Sequence, residues 1–206
     1  MNFETDKRII LSYHSARLAK YGEDVRSLWG SVQSQQVRFE VLSGMGNFDN
    51  KRILDVGCGF GDFYAFLKEQ NVHPKKYVGI DINREMIAIG KLRLPEAIFQ
   101  VRDILDDEMS EKFDYVVASG IFSLESPNWQ ALTEKKICKM YQLCEIGVGF
   151  NLLSFFTLGE KTADSHYANP VDILDFIFRN LTTSILLRHD YRPNDFTIYI
   201  YKPFEA

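Results

Sequence analysis

Lys51-Arg52-Ile53-Leu54-Asp55-Val56-Gly57-Cys58-Gly59-Phe60-Gly61-Asp62-Phe63 is the stretch whose reading decides the architecture of this chain. Ile53 to Val56 is a short, mostly apolar run. The three glycines behind it permit a tight turn and close backbone approach to a ligand, and a helical pattern begins at Asp62. A strand, a glycine turn and a helix start present unpaired backbone N–H groups and the positive end of a helix dipole, which favours an anionic group. The dinucleotide fingerprint G-x-G-x-x-G is met only in part, because the glycines stand at 57, 59 and 61 and the third is out of place. Asp55, near the C-terminal end of the strand, repels a pyrophosphate and suits a cationic ligand group.

A second acid follows at a distance that has chemical meaning. Tyr77-Val78-Gly79-Ile80-Asp81-Ile82 reads as another buried strand, and Asp81 stands roughly 20 residues past the glycine turn, the offset of a ribose-binding carboxylate. With Asp55 and the glycines it resembles the class I S-adenosylmethionine (SAM) dependent methyltransferase family, whose first two motifs look like Leu54-Asp55-Val56-Gly57-Cys58-Gly59-Phe60-Gly61 and Gly79-Ile80-Asp81-Ile82. SAM carries an amino group, a carboxylate, a sulfonium and a ribose, so an acid beside the glycine loop is chemically sensible.

The resemblance implies a Rossmann-like three-layer α/β/α sandwich: a seven-stranded, mostly parallel sheet in the order 3-2-1-4-5-7-6, with strand 7 antiparallel. It implies SAM as cofactor and S-adenosylhomocysteine (SAH) as product. The binding set it implies is Asp55, Gly57, Cys58, Gly59 and Gly61 in the first turn and Asp81 and Ile82 at the ribose. Asp103 would accept from the adenine amino group with Ile104 packed near the ring, and Ser119 and Gly120 would stand beside the reactive methyl. Arg38 or Gln36, ahead of the first strand, would reach the cofactor carboxylate; the other reading of Arg38 is a solvated helix face with a surface ion pair. Exocyclic-amine methyltransferases of bases usually carry Asn/Asp-Pro-Pro-aromatic after the fourth strand, and this chain has Ala118-Ser119-Gly120-Ile121, which disfavours that class.

Length and composition agree with one α/β domain over 1–206, in which the resemblance implies a SAM-binding core over 50–202 behind an N-terminal helical cap over 1–48. Apolar residues are 46% and charged residues 25%, ordinary for a chain with a sizeable core. A net charge of −4 argues against a broad nucleic-acid surface. Cys58, Cys138 and Cys144 show no Cys-x-x-Cys spacing, so neither a disulfide framework nor a zinc site is expected. No signal peptide or membrane-length apolar run is visible, and the expected compartment is the cytoplasm.

Along the chain, periodicity predicts helices over 12–20, around Val37 to Leu42, over 62–71, 84–92, 129–144 and 170–178. It predicts later strands over 97–101, 112–120, 148–153, 181–187 and 196–201. Asp106, Asp107 and Glu108 read as a solvated acidic loop.

Methyl transfer from a sulfonium is an in-line displacement, in which holding nucleophile and methyl in near-attack geometry supplies much of the effect. A base helps a hydroxyl or protonated nitrogen, and the candidates are His166, in the loop after strand five, and His14, with Tyr13, Tyr167 and Glu125 behind them. His166 also reads as an exposed loop histidine without catalytic duty. Asp103, Asp106 and Asp107 imitate an oxygen-ligand set, but no matching Asp-Asn pair follows strand five, so no metal is expected. The leading expectation is methyl transfer to a small-molecule acceptor, without nucleic acid or membrane. The alternatives are a protein or RNA methyltransferase docking through Lys135-Lys136-Lys139, a non-catalytic SAM-binding sensor, and an NAD-linked oxidoreductase.

Overall fold

The computed structural model describes residues 3–105 and 109–203, so the acidic run Asp106-Asp107-Glu108 lies outside the described residues. Helix α1 (Glu4–Tyr21), a 3-10 turn (Val25–Ser27) and helix α2 (Val32–Ser43) precede the first strand. Then come β1 (Arg52–Val56), α3 (Asp62–Glu69), β2 (Lys76–Asp81), α4 (Arg84–Arg93), β3 (Ile98–Val101) and β4 (Phe113–Ala118). The second half holds α5 (Trp129–Leu143), β5 (Cys144–Leu153), α6 (Pro170–Asn180), β6 (Ile185–Arg188) and β7 (Asp195–Tyr201).

The strands form one sheet in the order β3-β2-β1-β4-β5-β7-β6. Pairings from β3 through β5 are parallel, and β7 runs antiparallel to both β5 and β6. Side chains alternate across each strand, so one sheet builds two cores. Leu54, Val116, Val148 and Ile198 pack with Ile137 and Met140 of α5 and Ile173 and Ile177 of α6. Their neighbours Ile53, Tyr115, Val117 and Tyr199 pack on the other face with Phe39 and Leu42 of α2, Phe63 and Leu67 of α3, and Ile87 of α4. Apolar runs buried on both faces are what a parallel sheet between helices requires.

Local chemistry sets the helix starts. Asn83 accepts from the N–H groups of Glu85 and Met86 to cap α4. Asn169 caps α6, with Pro170 at its first turn. Gly61, at φ +83°, opens α3 in a left-handed conformation closed to most residues. No described helix is long and apolar enough to cross a membrane.

Four boundaries differ from expectation by more than two residues. Helix α2 starts at Val32 rather than near Val37, because Ser31 accepts from the Ser34 N–H at 3.1 Å and caps a polar first turn. Helix α1 starts at Glu4 rather than near residue 12, because one face carries Lys7, Ile10, Leu11, His14 and Arg17 toward a cavity, a mixed stripe that apolar periodicity does not register. Strand β5 starts at Cys144 rather than Val148: α5 passes into it without a loop, and Arg52 holds Glu145 at 2.7 Å and Asp114 at 2.9 Å across the sheet end. Strand β6 starts at Ile185 rather than Leu181, because the N–H groups of Leu181 and Thr182 still bond the carbonyl of Ile177 at the end of α6.

Candidate active site

A cavity of about 440 Å³ lies beyond the C-terminal ends of β1, β2, β4 and β5, the edge where open α/β sheets collect ligands. Its roof is made of α1, the segment Leu28 to Gly30, and Ser34, Arg38 and Phe39 of α2. The roof is tied down by polar contacts. Asp6 accepts from the N–H and Nδ2 of Asn128, both at 2.9 Å; Asn83 donates to Ser15 at 3.2 Å; Gln35 donates to Asp62 at 2.8 Å.

Of the residues expected from sequence, Asp55, Gly57, Cys58, Asp81, Ile82, Asp103, Ile104, Ser119, Gly120, Arg38 and His14 line this one cavity. Gly59, Gly61 and His166 do not. Gly59 is covered by Leu28, which a Cβ at that position would meet at 2.6 Å, and its N–H donates to Asp81 Oδ2 at 3.0 Å. Gly61 abuts Leu94 and Phe99 instead. Gly57, at φ +71°, has no room for a side chain, since a Cβ would run into Ile121 just past β4. The turns after β1 and β4 therefore interlock. Cys58 turns its sulfur inward against Gly79, and burial pushes its thiol well up.

The acids differ in environment. Burial raises the Asp55 carboxyl to about 7; a hydrogen bond from the Tyr77 hydroxyl at 2.5 Å opposes this, and the charges of Asp81 and Asp62 add to it. Burial also raises Asp81, against the N–H bonds it accepts from Asn83 at 2.8 Å and from Gly59. Asp103 is held on one side by the Leu105 N–H at 2.8 Å and on the other by Lys7 of α1 at 2.9 Å. Lys136 of α5 also lines the cavity; burial lowers its pKa, while the charges of Asp103 and Asp81 pull it back up.

Ser119 and Gly120 are fixed by Asn151 of β5, which donates to Ser119 Oγ at 2.7 Å and accepts from the Gly120 N–H at 2.9 Å. Trp29 lies over Gly120, and its indole N–H, together with His14 Nδ1, is buried without a partner among the described residues. Burial, followed by the charge of Arg17, lowers His14 to about 4, so it is neutral near pH 7. His166 stacks on Trp129 with ring centroids 3.5 Å apart at 15°, and its Nδ1 lies 2.8 Å from Glu125 Oε2. It flanks the cavity through its neighbour Ser165 and through Ser123, whose carbonyl accepts the His166 N–H.

Arg38 spends its donors inside the protein. Its Nε and Nη2 donate to Asp195 Oδ1 at 3.1 and 2.6 Å, and Nη1 donates to Ser34 O at 3.2 Å and to Ser34 Oγ. The ion pair is buried rather than at the surface. Sequence reasoning missed Trp29, Asn151, Arg192 and Asp195 as cavity residues, and it placed Lys136 on an outer docking face. Nothing in their local sequence separates them from core, turn or surface residues. Among the described residues, no group of three or more His, Cys, Asp or Glu is placed to hold a metal ion.

A methyltransferase domain family matches residues 47–187. A Mycobacterium tuberculosis protein described as a methyltransferase is 31% identical over 155 residues, covering 73% of this chain and 92% of that protein. Among solved structures, magnesium protoporphyrin IX methyltransferase from Synechocystis PCC 6803 with SAM bound superposes with a TM-score of 0.69 at 16% identity, over 96% of this chain and 97% of that one. N-methyltransferase NodS from Bradyrhizobium japonicum WM9 with SAH reaches 0.65 at 16% identity, over 94% of this chain and 100% of that one. At such identities the structural likeness speaks for the fold, while the domain match and the mycobacterial relative carry the kinship. The chain belongs to the class I S-adenosylmethionine-dependent methyltransferases, and SAM is its cofactor.

Proposed function

We propose that the chain transfers the methyl group of SAM to a small-molecule acceptor enclosed with it under the α1–α2 roof. The observation that carries this reading is the cavity itself: about 440 Å³, within the range of small-molecule sites, and roofed by helices tied to the rest of the chain. The Trp29 indole N–H and His14 Nδ1 in its wall, without a hydrogen-bond partner among the described residues, are buried polar atoms a ligand there would satisfy. The protein or RNA reading loses support because Lys136 of the Lys135-Lys136-Lys139 set faces inward.

Bound here, SAM supplies an electrophilic methyl on a sulfonium, open to in-line attack. Asp81 holds the ribose hydroxyls with oxygens already oriented by Gly59 and Asn83. Asp103 receives the adenine amino group beside Ile104, with Lys7 orienting its carboxylate. Asp55 faces the cationic amino group, and Gly57 and Cys58 form the wall below it. Ser119 and Gly120, fixed by Asn151, shape the wall beside the methyl. Neutral His14, in the cavity wall, accepts a hydrogen bond from the acceptor, while His166, held by Glu125 and Trp129, stands behind Ser123 and Ser165 and serves as the base only for an acceptor that reaches past them.

The test is incubation with SAM and, in parallel, small-molecule acids and amines, bulk RNA and protein, followed by mass spectrometry for added methyl groups. Methylation confined to small molecules is expected. Methylated RNA or protein with unmodified small molecules would replace this reading.

A further inference from the structure

Asp195 is almost fully buried at the start of β7, yet two guanidinium groups face it. Arg38 pairs with Oδ1 in aligned hydrogen bonds. Arg192 Nε stands 2.7 Å from Oδ2, but neither atom makes a directed hydrogen bond among the described residues. One carboxylate facing two guanidinium groups leaves one positive charge over in the cavity wall. The fork of Arg38 is occupied, whereas among the described residues Arg192 faces only Asp195 and its side chain makes no directed hydrogen bond. A guanidinium is permanently charged and shaped for a carboxylate or phosphate oxygen pair.

Position separates this charge from the adenosine end. Asp81 and Asp103 follow β2 and β3, whereas Arg192 precedes β7, and the sheet order places four strand spacings, about 19 Å, between β2 and β7. Asn151, which fixes the turn beside the methyl, lies on β5 opposite Thr197 of β7. Arg192 therefore borders the acceptor end of the cavity.

We propose that the acceptor carries an oxyanion, a carboxylate or phosphate-type group, and that Arg192 is the residue that binds it, with Arg38 locking Asp195 behind. This rests on the small-molecule reading above. Arg192 is a specificity residue for an acidic acceptor, and Asp195 aims it.

The test is ¹⁵N NMR of the arginine Nε–H groups of the full chain, titrated with acetate or inorganic phosphate against chloride at constant ionic strength, with and without saturating SAH. The Arg192 signal is assigned by its loss in Arg192→Gln, or in Arg192→Lys should the first variant fail to fold. The expected result is a saturable shift of the Arg192 signal, half-complete at a concentration about tenfold or more below that of any chloride effect, and retained with SAH bound. Two results overturn the proposal. One is an Arg192 signal that follows the oxyanions no better than chloride. The other is a shift that SAH alone saturates, which would make Arg192 a partner of the cofactor carboxylate. The backbone amides of Gly57 and Ile82 report SAH binding separately, so a failure of the methyl-transfer reading is visible apart from a failure of the anion site.

Discussion

Asp81 accepts from Gly59 and Asn83, both in turns beside the cofactor cavity, so its carboxylate is oriented before any ligand arrives. Asp81→Ala is expected to weaken SAM by about 1–3 kcal/mol in calorimetric titration, the loss of charge-assisted hydrogen bonds. Unchanged affinity in a folded variant would remove Asp81 from the ribose. Asp55 and His14 give opposite pH signatures. The folded Asp55 carboxyl, raised to about 7, binds more protons than the unfolded one between about pH 4 and 7, so its contribution to stability falls as pH rises through that window. Folded His14, lowered to about 4, binds fewer protons than the unfolded imidazole between about pH 4 and 6.5, so its contribution rises with pH. In urea unfolding at pH 5 and 6.5, Asp55→Asn should make stability increase more steeply with pH, and His14→Gln less steeply. Equal slopes in both variants would contradict the buried states assigned here. Asp55 and Asp81 were legible as cavity residues because their offsets from a glycine turn carry meaning, and Asp103 only through the resemblance. Lys136, Trp29 and Arg192 were not, because whether a helix or turn residue faces inward is decided by packing.

The elements were legible where caps and glycines punctuate them. Asn83 announced α4, Pro170 announced α6, and the parallel strands stood out as apolar runs bounded by turns. Legibility failed where an element is held by partners distant in sequence: Glu145 joins β5 because Arg52 reaches it, and the first two turns of α1 are helical over a half-polar cavity. The cap on α4 can be separated from the roof contact of the same side chain. Asn83→Ala removes the acceptor for two N–H groups and the bond to Ser15, Ser15→Ala removes only the latter, and the first should cost about 1 kcal/mol more than the second in chemical denaturation. A difference near zero would show that the neighbouring turn supplies the cap.

Across the whole molecule, the order 3-2-1-4-5-7-6 came from resemblance rather than periodicity, since strand order depends on crossovers that local pattern does not encode. We take residues 1–206 as one domain, with 1–48 as a cap on the core over 50–202, because α1 and α2 are bound to the core through Asp6, Lys7, Gln35 and Arg38. One coincident unfolding transition by tryptophan fluorescence and far-ultraviolet circular dichroism is expected. Trp29 sits in the roof and Trp129 in the core, so an earlier fluorescence transition would show a cap that melts alone. The most direct test of the central claim, a SAM site at the C-terminal edge of the sheet, is calorimetric titration of the full chain with SAM, SAH and NAD. The account predicts micromolar binding of SAM and SAH, lost or weakened in Asp81→Ala, and no binding of NAD. Binding of NAD with neither SAM nor SAH bound would contradict it.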